Sequence, residues 1–153
     1  TGVGARLDGV SGWGGAAGDT IFTVENLIGS SHADTLVGNA LANRIESGGG
    51  GGTIYAGGGD DTIIGGDGAD VMYGQSGADT FVFLAGGGID TVKDFEDGVD
   101  IIDVSDFGFS STADMIFTQD GLDAVISGFG VGQEIRLSNM DVVDLSNADF
   151  NFL

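Results

Sequence analysis

Between Gly29 and Val82 one large apolar residue recurs at every ninth position, and the residues between are mostly small or polar. Written in register, the units are GSSHADTLV (29–37), GNALANRIE (38–46), SGGGGGTIY (47–55), AGGGDDTII (56–64), GGDGADVMY (65–73) and GQSGADTFV (74–82), with no insertion or deletion. The eighth places are Leu36, Ile45, Ile54, Ile63, Met72 and Phe81. Around them apolar and small or polar residues roughly alternate, which predicts a short strand with one buried face. Small residues dominate the first four places and an acid or amide usually holds the sixth, so these places predict a turn. A six-residue turn with a three-residue strand cannot enclose a core by itself. Successive units must stack and bury one another's eighth side chain.

The flanks follow the frame less closely. Thr20 to Ile28 keeps it, with Glu25 sixth and Leu27 eighth, and reads as a degenerate first coil that covers the open end of the stack. Residues 1–19 are Gly-rich, and Trp13, their only large aromatic, is expected to be capping core. After Val82 the frame fails: Asp90 stands two places beyond the next sixth place. Residues 114–153 read as antiparallel strands, with DMIFT (114–118) and LDAVIS (122–127) flanking a turn at Gln119-Asp120-Gly121, then EIRL (134–137). The layout is an N-terminal cap with a degenerate coil (1–28), the repeat array (29–82) and a closing segment with a C-terminal cap (83–153).

Small first places, a sixth-place acid and an eighth-place apolar residue give the pattern Gly-Gly-x-Gly-x-Asp-x-U-x, in which the array resembles the calcium-binding RTX β-roll family. The resemblance implies an all-β fold: a parallel β-roll with a C-terminal antiparallel cap, two nonapeptides making one coil. Residues eighteen apart would then stack at the strand spacing of about 4.8 Å. Calcium takes oxygen ligands at roughly 2.3–2.6 Å, so an ion midway between two stacked turns reaches both. Several calcium ions are expected.

On that basis the sixth places form two columns, Glu25, Asn43, Asp61, Asp79 on one edge and Asp34, Gly52, Asp70, Gly88 on the other. Asp61 and Asp79 alone make a carboxylate pair eighteen apart, so their site is expected to be the tightest. Asn43 with Asp61 makes a weaker neighbour. Gly52 supplies no side chain, so Asp70 and Asp34 face no carboxylate at that level of their column unless Asp67 or a water compensates. In the family, the lower turn of a site gives second- and fourth-place carbonyls plus its acid, and the upper turn gives first- and third-place carbonyls plus its acid. Carried over, the best site is Gly57, Gly59 and Asp61 with Gly74, Ser76 and Asp79. The weaker neighbour is Asn39, Leu41 and Asn43 with Ala56, Gly58 and Asp61. The opposite edge offers Gly48 and Gly50 with Gly65, Asp67 and Asp70.

Charge sharpens this picture. The 24 acids against 4 bases give a net charge of −20, which opposes nucleic acids and anionic membranes and opposes folding until cations neutralise it. With no cysteine there are no disulfides or thiol chemistry, and no apolar run approaches a membrane span. No H-E-x-x-H or G-x-S-x-G motif marks an enzyme; His32 is expected to be solvated and Arg44 to point outward.

The stretch 83–108 resembles the segment that closes the roll in serralysin-type and other RTX proteins, through Asp90, Asp94, Phe95, Gly98, Asp100, Ile102, Asp103 and Ser105. Its acids Asp94, Glu96, Asp97, Asp100 and Asp103 read either as a further calcium site or as solvated charge. The ending DLSNADFNFL resembles the C-terminal export signal of type I secretion substrates, with a simple final strand as the alternative.

These features together predict a non-catalytic, monomeric, calcium-binding module, secreted from bacteria by the type I route and attached to an upstream catalytic or adhesive domain of the same polypeptide. The alternative is an accessory module that binds an acidic, alginate-like polysaccharide, like those following mannuronan C5-epimerase domains. The four scattered bases, Arg6, Arg44, Lys93 and Arg136, oppose direct binding of such a ligand.

Overall fold

The computed structural model describes residues 4–6 and 25–152. Trp13 and the beginning of the degenerate coil lie outside the described residues. Strands β1 (Gly4–Arg6), β3 (Thr35–Val37), β5 (Thr53–Gly58), β7 (Val71–Ser76) and β9 (Ile89–Val92) share one sheet. Strands β2 (Asn26–Ile28), β4 (Arg44–Glu46), β6 (Thr62–Ile64), β8 (Thr80–Val82) and β10 (Ile101–Asp103) share the other. Consecutive repeats therefore alternate between two parallel sheets. Thr35 pairs with Thr53 and Thr53 with Val71, while Arg44 pairs with Thr62 and Thr62 with Thr80. Each coil is thus two nonapeptides, as the resemblance implies.

The eighth places form the core between the sheets. Leu36, Ile45, Ile54, Ile63, Met72 and Phe81 are fully buried and Leu27 nearly so, and Phe83, Val92, Phe95 and Ile102 continue the column into the closing segment. Three-residue strands suffice because each contributes one inward side chain, and the stack multiplies it.

The frame slips where the sequence loses its period. Val71 pairs with Thr91, twenty residues on, and Thr80 with Ile101, twenty-one on. The turn after β8 is two residues longer than a repeat turn, and the one after β9 adds another.

The cap begins with a hairpin of β11 (Ile116–Asp120) and β12 (Asp123–Ser127), antiparallel as expected. Its turn is Gly121-Leu122, one step later than the sequence suggests, and Gly121 sits at φ 65°, the left-handed backbone that such two-residue loops favour. Ser111 caps a 3₁₀ turn over 112–114, and that turn keeps Asp114 and Met115 out of β11.

Strand β13 (Glu134–Leu137) pairs antiparallel with β12 but parallel with β9, and β14 (Phe150–Asn151) pairs parallel with β10. An antiparallel cap throughout is therefore not what forms. The roll leaves two strand edges with unpaired backbone groups, and β13 and β14 arrive running in the roll's own direction and complete those ladders.

Candidate metal centre

The sixth places immediately precede the strands. Asp34, Asn43, Asp61, Asp70 and Asp79 are all at least 96 % buried. In the upper coils each carboxylate reaches down to the residue beneath it. The Asn43 N–H donates to Asp61 Oδ1 at 2.7 Å, the Gly52 N–H to Asp70 Oδ1 at 2.6 Å, and the Asp61 N–H to Asp79 Oδ1 at 2.9 Å. A buried N–H needs an acceptor, and here the carboxylate of the next coil is that acceptor. Lower in the stack, Asp34 accepts from the Ser30 N–H and hydroxyl, and Asn43 Oδ1 from the Asn39 N–H.

Those bonds use one oxygen of each upper carboxylate. Asp61 Oδ2 and Asp70 Oδ2 are buried without a hydrogen-bond partner, as is Ser47 Oγ. Burial pushes the Asp61 carboxyl up to about 7, with the charges of Asp79 and Asp60 adding to the effect. Burial likewise raises Asp79 to about 6, with Asp100, Asp94 and Asp60 nearby, and raises Asp70. Buried charge without a counter-charge is costly.

The turns stack in the order expected. Turn 56–61 lies over 38–43, where the Gly58 N–H donates to Asn39 O, and under 74–79, where Gly58 pairs with Ser76. On the other edge 47–52 lies over 29–34 and under 65–70, with the Gly49 N–H on Ser30 O and the Asp67 N–H on Gly48 O. Gly57 takes φ 119°, and a Cβ there would collide with the Asn39 carbonyl oxygen; a Cβ at Gly74 would collide with Asp79 Oδ2. Carbonyl and carboxylate oxygens are therefore packed into the seams between turns.

The structure thus brings Gly57, Gly59 and Asp61 against Gly74, Ser76 and Asp79, sets Asn39, Leu41 and Asn43 beneath Ala56, Gly58 and Asp61, and sets Gly48 and Gly50 beneath Gly65, Asp67 and Asp70. Glu25 is exposed, and only its carbonyl, an acceptor for the Arg44 N–H, is held in the column. His32 and Arg44 are exposed.

Three corrections follow. Gly88 does not stand above Asp70: Asp90 does, and the Asp70 N–H donates to Asp90 Oδ1 at 2.9 Å. On the opposite edge the Asp79 N–H donates to Asp100 Oδ1 at 2.9 Å, so that column also gains a carboxylate. The lengthened turns displace both from the frame of nine. The signal for Asp90 was in the sequence, because Asp90-Thr91 repeats the Asp-Thr of 34–35, 61–62 and 79–80.

The gap left by Gly52 is filled by Ser47 rather than by Asp67, which is exposed: a Cβ at Gly52 would collide with Ser47 Oγ. Ser47 stands where the other repeats carry Gly or Ala, and that difference is its only signal.

The acidic run 94–103, in turn, disperses. Asp94 accepts from the Gly74 and Gln75 N–H groups, Asp100 from Asp79 and Glu96, and Asp103 from Ser105 and Asn151. Among the described residues no group of three or more acidic, histidine or cysteine side chains is disposed to hold a metal ion. A cation held by these turns must draw on backbone carbonyls as well as carboxylates. An all-oxygen set with unpartnered buried carboxylate oxygens fits calcium, a hard cation that takes six to eight such ligands.

Residues 28–50 and 46–81 match the family of the RTX calcium-binding nonapeptide repeat (4 copies). Among solved structures, the chain is similar to the AlgE6R3 subunit of the Azotobacter vinelandii mannuronan C5-epimerase, with 27 % identity, TM-score 0.63, and 84 % of this chain and 80 % of that one covered. It is also similar to the AlgE6R2 subunit of that enzyme, with 24 % identity, TM-score 0.58, and coverage of 83 % and 86 %. No curated protein sequence matches it.

Proposed function

We propose that this chain, whose residues 28–81 are RTX calcium-binding nonapeptide repeats, is a non-catalytic module that folds on calcium as part of a larger exported protein. The observation that carries this reading is the pair of buried, unpartnered oxygens Asp61 Oδ2 and Asp70 Oδ2, one on each edge of the roll. Calcium, when bound, supplies the missing positive charge. The chain's own residues do the rest: the carboxylates of Asp61, Asp79 and Asp70 and the carbonyls of the Gly-rich turns hold the ion, and the same carboxylates pin the coil below through its N–H groups. Ion binding is then part of the folding free energy.

The likeness to two subunits of one epimerase supports an accessory module joined to a larger enzyme. The type I export part of the reading is supported by the resemblance of the repeats and of the ending at 144–153 to such substrates. Circular dichroism of the chain in EGTA and in calcium tests the reading. β-structure gained on adding calcium is expected, and the same β-rich spectrum under both conditions would sink it.

A second reading, binding of an acidic polysaccharide, is favoured by one surface feature. Tyr55 and Tyr73 stack at a centroid distance of 4.7 Å on the outer face of the eight-stranded sheet, with Lys93 exposed where β9 ends beside β7. Exposed aromatic faces with a cation beside them suit a sugar ring carrying a carboxylate. Calorimetric titration with alginate oligomers in calcium tests it. A binding heat lost in Tyr73→Ala supports it, and no heat in the parent chain rejects it.

A further inference from the structure

Asp97 and Gly98 stand exposed in the turn between Phe95 and Asp100, and one buried carboxylate of the cap, Asp149, touches both of them. We propose that Asp97-Gly98 is a self-modification site: the Gly98 nitrogen closes on the Asp97 carboxyl carbon to form a succinimide, Asp149 carries the proton, and water reopens the ring to aspartate or isoaspartate. This chemistry needs no metal ion and stands apart from the calcium reading above.

Glycine after aspartate leaves the ring closure unobstructed, since it carries no side chain. Asp-Gly steps occur at 8–9, 67–68, 97–98 and 120–121, the first of them outside the described residues. Among the described residues, 97–98 is the step at which a carboxylate accepts the glycine N–H: Gly98 donates to Asp149 Oδ1 at 3.2 Å. Asp149 is 1 % exposed, and the Ser146 N–H and hydroxyl fix its Oδ2 at 2.7 and 3.0 Å.

The Asp97 carboxyl hydrogen-bonds the same Asp149 side chain. Two carboxyl groups share a hydrogen bond only when one of them is protonated. Desolvation, then the charge and hydrogen bond of Asp149 and the charge of Asp144, raise Asp97, which therefore holds the proton. Burial works against the Asp149 charge, but bonds from Ser146, Gly98 and Asp97 outweigh it and keep Asp149 below the usual carboxylate range. A protonated carboxyl is an electrophile and a carboxylate anion is not. At the 120–121 step, by contrast, Asp120 Oδ2 is ion-paired with Arg136 Nη1 at 3.0 Å.

The turn has room for the ring. Gly98 takes φ 71°, and a Cβ built there meets nothing within 4 Å. The Val99 and Asp100 N–H groups both donate to Glu96 O, at 3.1 and 2.9 Å, and brace the turn around the reacting pair. As the bond from the Gly98 nitrogen to Asp97 Cγ forms, the N–H proton passes to Asp149 Oδ1. The Cγ–OH bond breaks, and Asp149 returns a proton to the departing hydroxyl, which leaves as water. Hydrolysis at the other ring carbonyl routes the backbone through Asp97 Cβ and lengthens the turn by one carbon. That turn holds Asp149, so the modified chain loosens its grip on the C-terminal segment.

Incubation of the full chain in calcium and heavy-oxygen water, followed by peptide mass spectrometry, tests the proposal, because each ring opening leaves one heavy oxygen on the residue. Label at 97–98 is expected to outpace label at 67–68 and 120–121. Asp149→Asn keeps an oxygen for the Gly98 N–H and removes the base, so it should slow labelling at 97–98 on the order of 10²-fold, the scale of a positioned acid–base group. Equal labelling at the three steps overturns the proposal, and so does a rate at 97–98 that Asp149→Asn leaves unchanged. If that variant does not fold, the wild type in urea answers instead: the excess at 97–98 over the other two steps disappears there if Asp149 supplies it, and its persistence refutes the role of Asp149.

Discussion

Asp79 has a carboxylate both beneath it, Asp61, and above it, Asp100, and its Oδ1 is the acceptor for the buried Asp61 N–H. Removing its side chain strips a carboxylate from two seams and orphans that N–H, at about 1–3 kcal/mol per unsatisfied group. Asp79→Ala and Asp61→Ala are therefore expected to raise the calcium midpoint of folding strongly. Asp34→Ala should raise it less, because the residue above Asp34 in its column is Gly52, which carries no carboxylate. Equal midpoints in calcium titrations of the three variants would refute the stacking order.

The same carboxylates set the pH dependence in the absence of calcium. Burial raises Asp61 and Asp90 to about 7 and Asp79 to about 6, above an unfolded value near 4, so the folded chain binds more protons than the unfolded one. Their contribution is then fully present below about pH 4 and is lost as pH rises through about 6 to 7. Thermal melts in calcium-free buffer should show a midpoint that falls across that window, with protons standing in for the cation at acid pH. A midpoint that is flat or rises from pH 4 to 7 would contradict this.

At the scale of the element, a repeat works because a Gly-rich turn and a three-residue strand repeat without error, and this is why the strands of the array were legible. The apolar eighth place fixes which face is buried, and the frame fixes the stacking. What was not legible depends on pairing between distant segments. Nothing local in EIRL says that β13 will run parallel to β9, or in DFNFL that β14 will join β10. The Asp90 and Asp100 positions were hidden because turns of irregular length carry no period, although the repeated Asp-Thr pair marks one of them. Ser47 shows the limit in the other direction: a conservative-looking Ser in a small-residue place fills the volume of a missing side chain three-dimensionally adjacent to it.

The compensation between Ser47 and Gly52 is testable by a pair of changes. Gly52→Asp alone crowds Ser47 Oγ, whereas Gly52→Asp with Ser47→Gly completes the column between Asp34 and Asp70. The double variant should fold at lower calcium than either single variant. If the single Gly52→Asp change did as well, Ser47 would not be the obstacle.

For the molecule as a whole, one core runs from Leu27 through the roll into the cap, while the net charge of −20 works against compaction. The two sheets supply burial and the edges supply repulsion, so under the proposed function a cation at the edges decides the balance. That cation must fit seams built largely of carbonyl oxygens. Magnesium demands a tighter octahedron at about 2.0–2.1 Å and sheds water reluctantly, so it should not replace calcium at equal concentration. Equal folding midpoints for the two ions, followed by circular dichroism, would count against carbonyl-lined sites.

Amide hydrogen exchange at residues 43, 52, 61, 70 and 79 tests the account most directly, because these N–H groups donate to the carboxylates of the coil above. At neutral pH they should be strongly protected in calcium and exchange freely in chelator. Equal protection in both would show that the carboxylate columns hold the roll together without any cation.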